Sequence, residues 1–247
     1  MEIAICMPYW NHWDCLKETL ASYKKHKYFA VPDFTELSIC DDGSAPPLAV
    51  SEVLNEIAED GVQTRLVIIH RDMHDKFQNP CISKNDAINA SSAPLIYFTQ
   101  PDVRNDDPVL FKLRDSIYSR NDVALGYIKQ DGRYGARRYS GWHSHPTHRP
   151  TCYGASYVMT RDLFERVGGF DEKYSELGYG AEDMDFMLTL KYAGANFKWV
   201  DAVATHLYHK KKWSQKEQPS KKQSEYFKGK WGISIADFHK ELKGECA

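Results

Sequence analysis

No glycine separates the first apolar run from the helix expected after it. That junction reads MPYWNHWD, residues 7–14, where a dinucleotide fold needs GxGxxG so that its backbone can approach a pyrophosphate. No GxxxxGK[ST] occurs either, which excludes the P-loop NTPases. Charge of one sign is not in surplus: 32 Lys and Arg against 34 Asp and Glu leave a formal net charge of −2, and bulk nucleic-acid binding needs a basic face. No apolar stretch reaches the roughly 18–20 residues of a membrane span, and the opening MEIAICMPYW carries no basic leader. The six cysteines, at 6, 15, 40, 81, 152 and 246, contain no CxxC pair. Scattered thiols of this kind point to a reducing compartment rather than to a disulfide framework or a zinc site. The expected location is therefore cytoplasmic. The basic stretches GRYGARRYSG and HKKKWSQKEQPSKKQ leave room for a peripheral contact with a membrane surface or another anionic ligand.

What is present is alternation. IAICMPY, ELSICDD, RLVIIH, PLIYFTQPDV and DVALGYIKQ read as strands, and amphipathic helices are expected between them. Trp13, Leu16, Leu20 and Tyr23 share one helical face, with Asn11 expected as N-cap. Val50, Leu54, Ile57 and Ala58 predict the buried face of the second helix. Strand–helix alternation over about 125 residues predicts an α/β fold with a mixed, mostly parallel central sheet flanked by helices. The second half breaks the rhythm with a Gly-, Arg-, His- and Pro-rich loop over 131–151. A basic C-terminal extension, 210–247, is expected to pack one or two helices on the outside.

In open sheets of this kind, ligands bind beyond the carboxyl ends of the strands. Pro8-Tyr9, Asp41-Asp42 and Gln100-Pro101-Asp102 all fall at such ends. Asp102, with Gln100 two positions earlier and His206 and His209 late in the chain, suits a divalent cation with mixed O and N donors, Mn²⁺ rather than Ca²⁺. Each of these residues alone also has a plain reading as a turn or surface group. Glu182, Asp183 and Asp185 crowd a helix start, where the dipole stabilises them. The same cluster suits a general base beside a sugar hydroxyl, with Asp183 best placed. HSHPTH, residues 143–148, reads as a His-rich loop rather than a metal site. Trp142, Tyr153, Phe170, Tyr174 and Tyr179 are either core or a stacking wall for sugars.

Four elements, AICMPYWN, SICDDGS, SKNDAINASSAPLIYFTQPDV and VGGFDEKYSELGYGAEDMDFMLTLKYAG, occur in an order that resembles the GT-A glycosyltransferases, in particular the inverting family 2 and its relatives. HLYH resembles that family's late metal-binding histidine. The likeness runs over residues 2–209 and implies a GT-A domain there, with a nucleotide-binding half (1–130) and an acceptor and catalytic half (131–209). It implies that Pro8, Tyr9, Asp41 and Asp42 hold base and ribose, with Gln100 beside them, and that Lys84 faces the diphosphate. It further implies metal at Asp102 with His206 and His209, Asp183 as inverting base with Glu182 beside it, and Trp142, Gly154 and Tyr179 near the donor sugar or acceptor. The implied cofactor is Mn²⁺ or Mg²⁺. The implied partners are a nucleotide-sugar, UDP by default, and a glycan, lipid-linked sugar or other hydroxyl acceptor. One departure stands out: Gln100 occupies the first Asp of the family's DXD. A catalytically silent nucleotide-sugar or glycan-binding domain is the competing expectation.

Overall fold

The run IAICMPY forms a strand, β1 (Ile3–Tyr9), all seven of whose residues are buried. Such a strand has no solvent face, so its sequence does not alternate and helices must cover both sides. Its side chains divide by parity: Ile3, Ile5, Met7 and Tyr9 enter one core, Ala4 and Cys6 the other. The computed structural model describes residues 2–30, 35–59, 64–74, 78–131, 155–209, 221–238 and 241. The expectations for Trp142, Tyr153, Gly154, residues 132–141 and the HSHPTH run lie outside the described residues.

From β1 the chain continues through α1 (Trp13–Lys25), β2 (Thr35–Asp41), α2 (Val50–Ile57), β3 (Arg65–His70), α3 (Cys81–Asn89), β4 (Leu95–Thr99), β5 (Val103–Asn105), α4 (Val109–Arg114) and β6 (Asp122–Gln130). It ends with β7 (Ser156–Thr160), α5 (Arg161–Val167), α6 (Glu182–Tyr192), β8 (Asn196–His206) and α7 (Lys221–Trp231). The strands form one sheet in the order β3-β2-β1-β4-β7-β6-β8-β5. The β1–β2, β2–β3, β1–β4 and β6–β8 pairs are parallel, while β7 runs against both β4 and β6, and β5 against β8. This is the expected mixed, mostly parallel sheet. Leu16, Leu20, Val53, Ile57, Leu110 and Leu113 cover one face, and Ile88, Leu163, Phe164, Phe186 and Leu190 the other. No helix among the described residues is long and apolar enough to cross a membrane.

Two local expectations need correction. His12, not Asn11, holds the N-cap position of α1. Asn11 has φ 53 and turns into the loop after β2, where its Oδ1 accepts from the Ala45 N–H at 2.8 Å and its own N–H donates to Ser44 Oγ at 2.9 Å. In α2 the buried pair is Val53 and Ile57, whereas Val50 and Leu54 are 48% and 38% exposed. The helix starts at Val50, and that phase turns the 53/57 stripe inward. α7 packs on the outside as expected, with only Gln223 and Phe227 of its residues buried, and Phe227 joins Phe238, which follows the helix, in the core that α6 lines.

Candidate active site

The sheet register brings the strand exits together. β1, β2, β3 and β4 end on one edge, and β8, parallel to β6, ends there too. β5 runs back from that edge, with Val103 paired to His206, and the Leu207 N–H donates to the Asp102 carbonyl at 2.7 Å. The pairing therefore forces Asp102 against the end of β8. His206 Nε2 lies 3.2 Å and His209 Nε2 3.0 Å from Asp102 Oδ2. Burial alone would raise the Asp102 pKa, but the two imidazoles outweigh it and hold the carboxyl well below the usual carboxylate range. Asp102 Oδ1 is buried with no hydrogen-bond partner among the described residues, and the ligand atoms of the three residues lie within 4.8 Å of one another. An unsatisfied carboxylate oxygen beside two imidazoles fits a divalent cation of the Mn²⁺ type. Gln100, whose carbonyl accepts from the Val103 N–H, lies in the turn that carries Asp102.

This group is continuous with the exit of β2. The His209 ring lies 4.8 Å from that of His12, next to Asn11, which grips Ser44 and Ala45. Asp41 is 1% exposed. Its Oδ1 accepts from the Ser44 N–H, its Oδ2 accepts from the Leu48 N–H at 2.7 Å, and His70 Nδ1 lies 3.2 Å from Oδ2. Asp41 thus folds the loop itself. Asp42 pairs with Arg71 at 2.9 Å, and Arg71 also reaches Asp86; burial raises the Asp42 pKa. Gly43 has φ +76, and a Cβ there would stand 2.2 Å from the Asp72 carbonyl. Only glycine lets the 72–74 segment close over this corner. A cleft lined by His70, Arg71, Asp72, Met73, His74 and Gln78 opens beside it. Pro8 and Tyr9 are buried at the end of β1.

The acidic cluster lies near the end of β4, where Lys84 joins it to the Phe98 ring. Lys84, expected at a diphosphate, is 1% exposed and sits beneath the acids instead. Its Nζ donates to Asp183 Oδ1 at 2.6 Å and to Glu182 Oε1 at 3.0 Å. The ammonium rests 5.0 Å from the Phe170 ring and 5.8 Å from that of Phe98 on β4. Burial would lower its pKa, but the two carboxylates prevail and raise it. Glu182 Oε2 accepts from Asn79 Nδ2 at 3.0 Å, so Glu182 is fully engaged. The Asp183 side chain keeps 16% exposure, and burial, offset by Lys84 and reinforced by Glu182, pushes its carboxyl up to about 6. Ala181, just before, is left-handed with φ 66, a conformation that costs a non-glycine residue of order 1–3 kcal/mol and clusters at functional sites.

Neighbouring Asn85 fixes the turn in front of the acids. Its Oδ1 accepts from the Phe170 N–H at 2.8 Å, and its Nδ2 donates to the Phe170 carbonyl and to Glu172 Oε1. A Cβ on Gly169 would meet Asn85 Oδ1 at 2.7 Å. Phe170 and Tyr174 belong to the core, not to a sugar-stacking wall. Tyr179 is half-buried in the loop before α6. Asn11, expected only as a helix cap, completes the site together with His12, Arg71 and Asn79, which were not singled out from sequence. Their roles depend on partners 15 to 197 positions away.

A sequence family described as the N-terminal domain of galactosyltransferase matches residues 139–212. Among solved structures, the chain is similar to GalNAc-T7 with UDP, GalNAc and Mn²⁺, at a TM-score of 0.62 and 13% identity over 97% of this chain and 50% of that one. The chain has the GT-A fold. The same GT-A likeness extends to the mannosyltransferase PcManGT from Pyrobaculum calidifontis in complex with GDP-Man and Mn²⁺, at a TM-score of 0.60 and 16% identity over 85% of this chain and 58% of that one. It extends also to residues 1–349 of S. aureus TarS, at a TM-score of 0.57 and 17% identity, with 83% and 58% covered. The GT-A chain described here spans half to three-fifths of the length of these structures. No curated protein matches it.

Proposed function

We propose that this GT-A chain is an inverting glycosyltransferase that moves a sugar from a nucleotide-sugar, UDP-linked in the first instance, to an acceptor hydroxyl. The observation that carries the proposal is Asp183: a partly exposed carboxylate set on a buried ammonium, beyond the same end of β4 as the Asp102 group. A base must be ionised yet hold a proton well, and a carboxyl pushed up to about 6 meets both needs near neutral pH. In this reading Asp183 takes the acceptor proton as the hydroxyl attacks the anomeric carbon from the face opposite the leaving group. Glu182 and Lys84 hold Asp183 in place. The corner made by Pro8, Tyr9, Asp42 and Arg71 receives the nucleoside, with Asp41 shaping its loop. Asp102, His206 and His209 would hold a divalent cation, which would offset the charge of the nucleoside diphosphate as it leaves. The similarity of the fold to proteins solved with UDP, GDP-Man and Mn²⁺ supports the donor class. The scattered thiols support a cytoplasmic place of action.

Gln100 favours one other reading, a silent nucleotide-sugar-binding domain, because an amide brings no charge to the cation. A thermal-shift panel of UDP, GDP, dTDP and CMP, each with and without Mn²⁺, separates nucleotide binding from its absence. A ligand that binds only the native state adds about 2.7 kcal/mol at a hundred times its Kd. The expected result is a Mn²⁺-dependent shift with one nucleotide that disappears in Asp102→Ala. No shift with any nucleotide would remove the proposal, and a shift without turnover of the matching nucleotide-sugar would leave the silent domain.

A further inference from the structure

Helix α7 lies outside the span that matches the galactosyltransferase family, yet it is bonded to the segment carrying Asp183. Trp231 Nε1 donates to Asp185 Oδ1 at 2.7 Å, and Lys230 Nζ donates to Asp185 Oδ2 at 2.9 Å. Lys230 also reaches Asp171 Oδ2 at 2.8 Å, the same oxygen that accepts from the Tyr226 hydroxyl at 2.8 Å. The Gln223 side chain donates to the Gly178 carbonyl. The Tyr174 hydroxyl adds a third donor to Asp185, at 3.2 Å, and its ring meets that of Tyr226 edge-on. Asp185 itself is 1% exposed and closes the first turn of α6, its N–H donating to the Ala181 carbonyl.

That turn needs support. Glu182, Asp183 and Asp185 all lie in it, the residue before it is left-handed, and Glu182 opposes the charge of Asp183. Lys84 answers two of the carboxylates from the α3 side. Lys230 answers the third, together with Asp171, from the opposite side. We propose that α7 is a brace for the catalytic turn, with Lys230 and Trp231 as positioning residues that fix Asp185 and thereby the aim of Asp183. This rests on Asp183 being the base. The basic extension is then part of the active apparatus rather than an appendage.

Trp231→Phe removes one donor and keeps a ring to stack on Tyr192, which lies 5.4 Å away at 12°. Lys230→Met removes the cation, and Lys230→Arg restores it. Amide hydrogen exchange on the full-length chain reads the brace without substrate. Trp231→Phe and Lys230→Met should speed exchange at 182–187 about tenfold, with β1 and β4 unchanged. The second readout is turnover of whichever nucleotide-sugar the wild type accepts. There kcat should fall on the order of tenfold to a hundredfold at constant donor KM, and Lys230→Arg should recover most of both effects. Unchanged exchange at 182–187, a uniform increase over the whole chain, or a loss in KM alone would each overturn the brace. If the wild type turns over no nucleotide-sugar, the transferase proposal fails, and the exchange data still decide whether α7 holds this turn.

Discussion

Asp183 holds its proton more tightly than a solvent carboxylate because burial and Glu182 oppose its charge, while Lys84 favours it. Only the ionised form can accept a proton, so turnover should fall about tenfold per pH unit below the shifted pKa. The acid limb of kcat/KM, which reports the free enzyme, should therefore bend near 6, and a limb bending near 4 would contradict this environment. Asp183→Asn should lower kcat on the order of 10²–10⁴-fold while the nucleotide-dependent thermal shift persists. Lys84→Met removes the one interaction that favours the charge, so the acid limb should move to higher pH, in the direction opposite to a general loss of structure. Sequence singled out Asp183 and Lys84 but not their contact. The two are 99 positions apart, and whether a lysine lies over a phosphate or under a carboxylate depends on packing that no local pattern encodes.

At the scale of elements, β1 begins and ends where its apolar run does, because a strand buried on both faces has no place for a polar side chain without a partner. Asn11 escaped the sequence because a cap and a loop tether call for the same side-chain oxygen, and only the approach of Ser44 and Ala45 decides between them. The sharpest local test is Gly169. It has φ +74, and a Cβ would press on Asn85 Oδ1, so Gly169→Ala combines a left-handed penalty with overpacking. A loss of roughly 2–4 kcal/mol is expected, measurable by urea unfolding. Asn85→Ala/Gly169→Ala should lose less than the two single losses added together, because the clash disappears with the amide. Equal additivity would mean that the turn is held by something else.

For the molecule as a whole, alternation in the first 130 residues made the parallel half of the sheet legible, since each βαβ unit is local. The antiparallel insertion of β7 and the β5–β8 pairing were not legible, because these short strands find partners tens of residues away, and for β5 about a hundred, without a turn to fix their register. How deeply the tail engages the core was not legible for a related reason. Its polar composition hid two aromatic side chains, Phe227 and Phe238, that complete a core built mostly from other segments. Phe238→Ala should cost about 3–5 kcal/mol, as a buried residue would and a residue on a solvated appendage would not. A change within 0.5 kcal/mol, typical of surface substitutions, would place the tail outside the core.

The meeting of Asp102 with the end of β8 also sets an order of events during synthesis. Contacts over such separations form late, after long loops have closed. A ribosome that has delivered the first four strands has made most of the corner of Pro8, Tyr9, Asp42 and Arg71, but neither histidine that Asp102 faces nor the glutamate and aspartate that Lys84 awaits. Until those arrive, Lys84 is a cation with no counter-charge among the hydrophobic strands around it, and the half-made sheet has every reason to stay open there. Completion of this fold is thus postponed until the chain from Glu182 onward arrives, when charge and core close together.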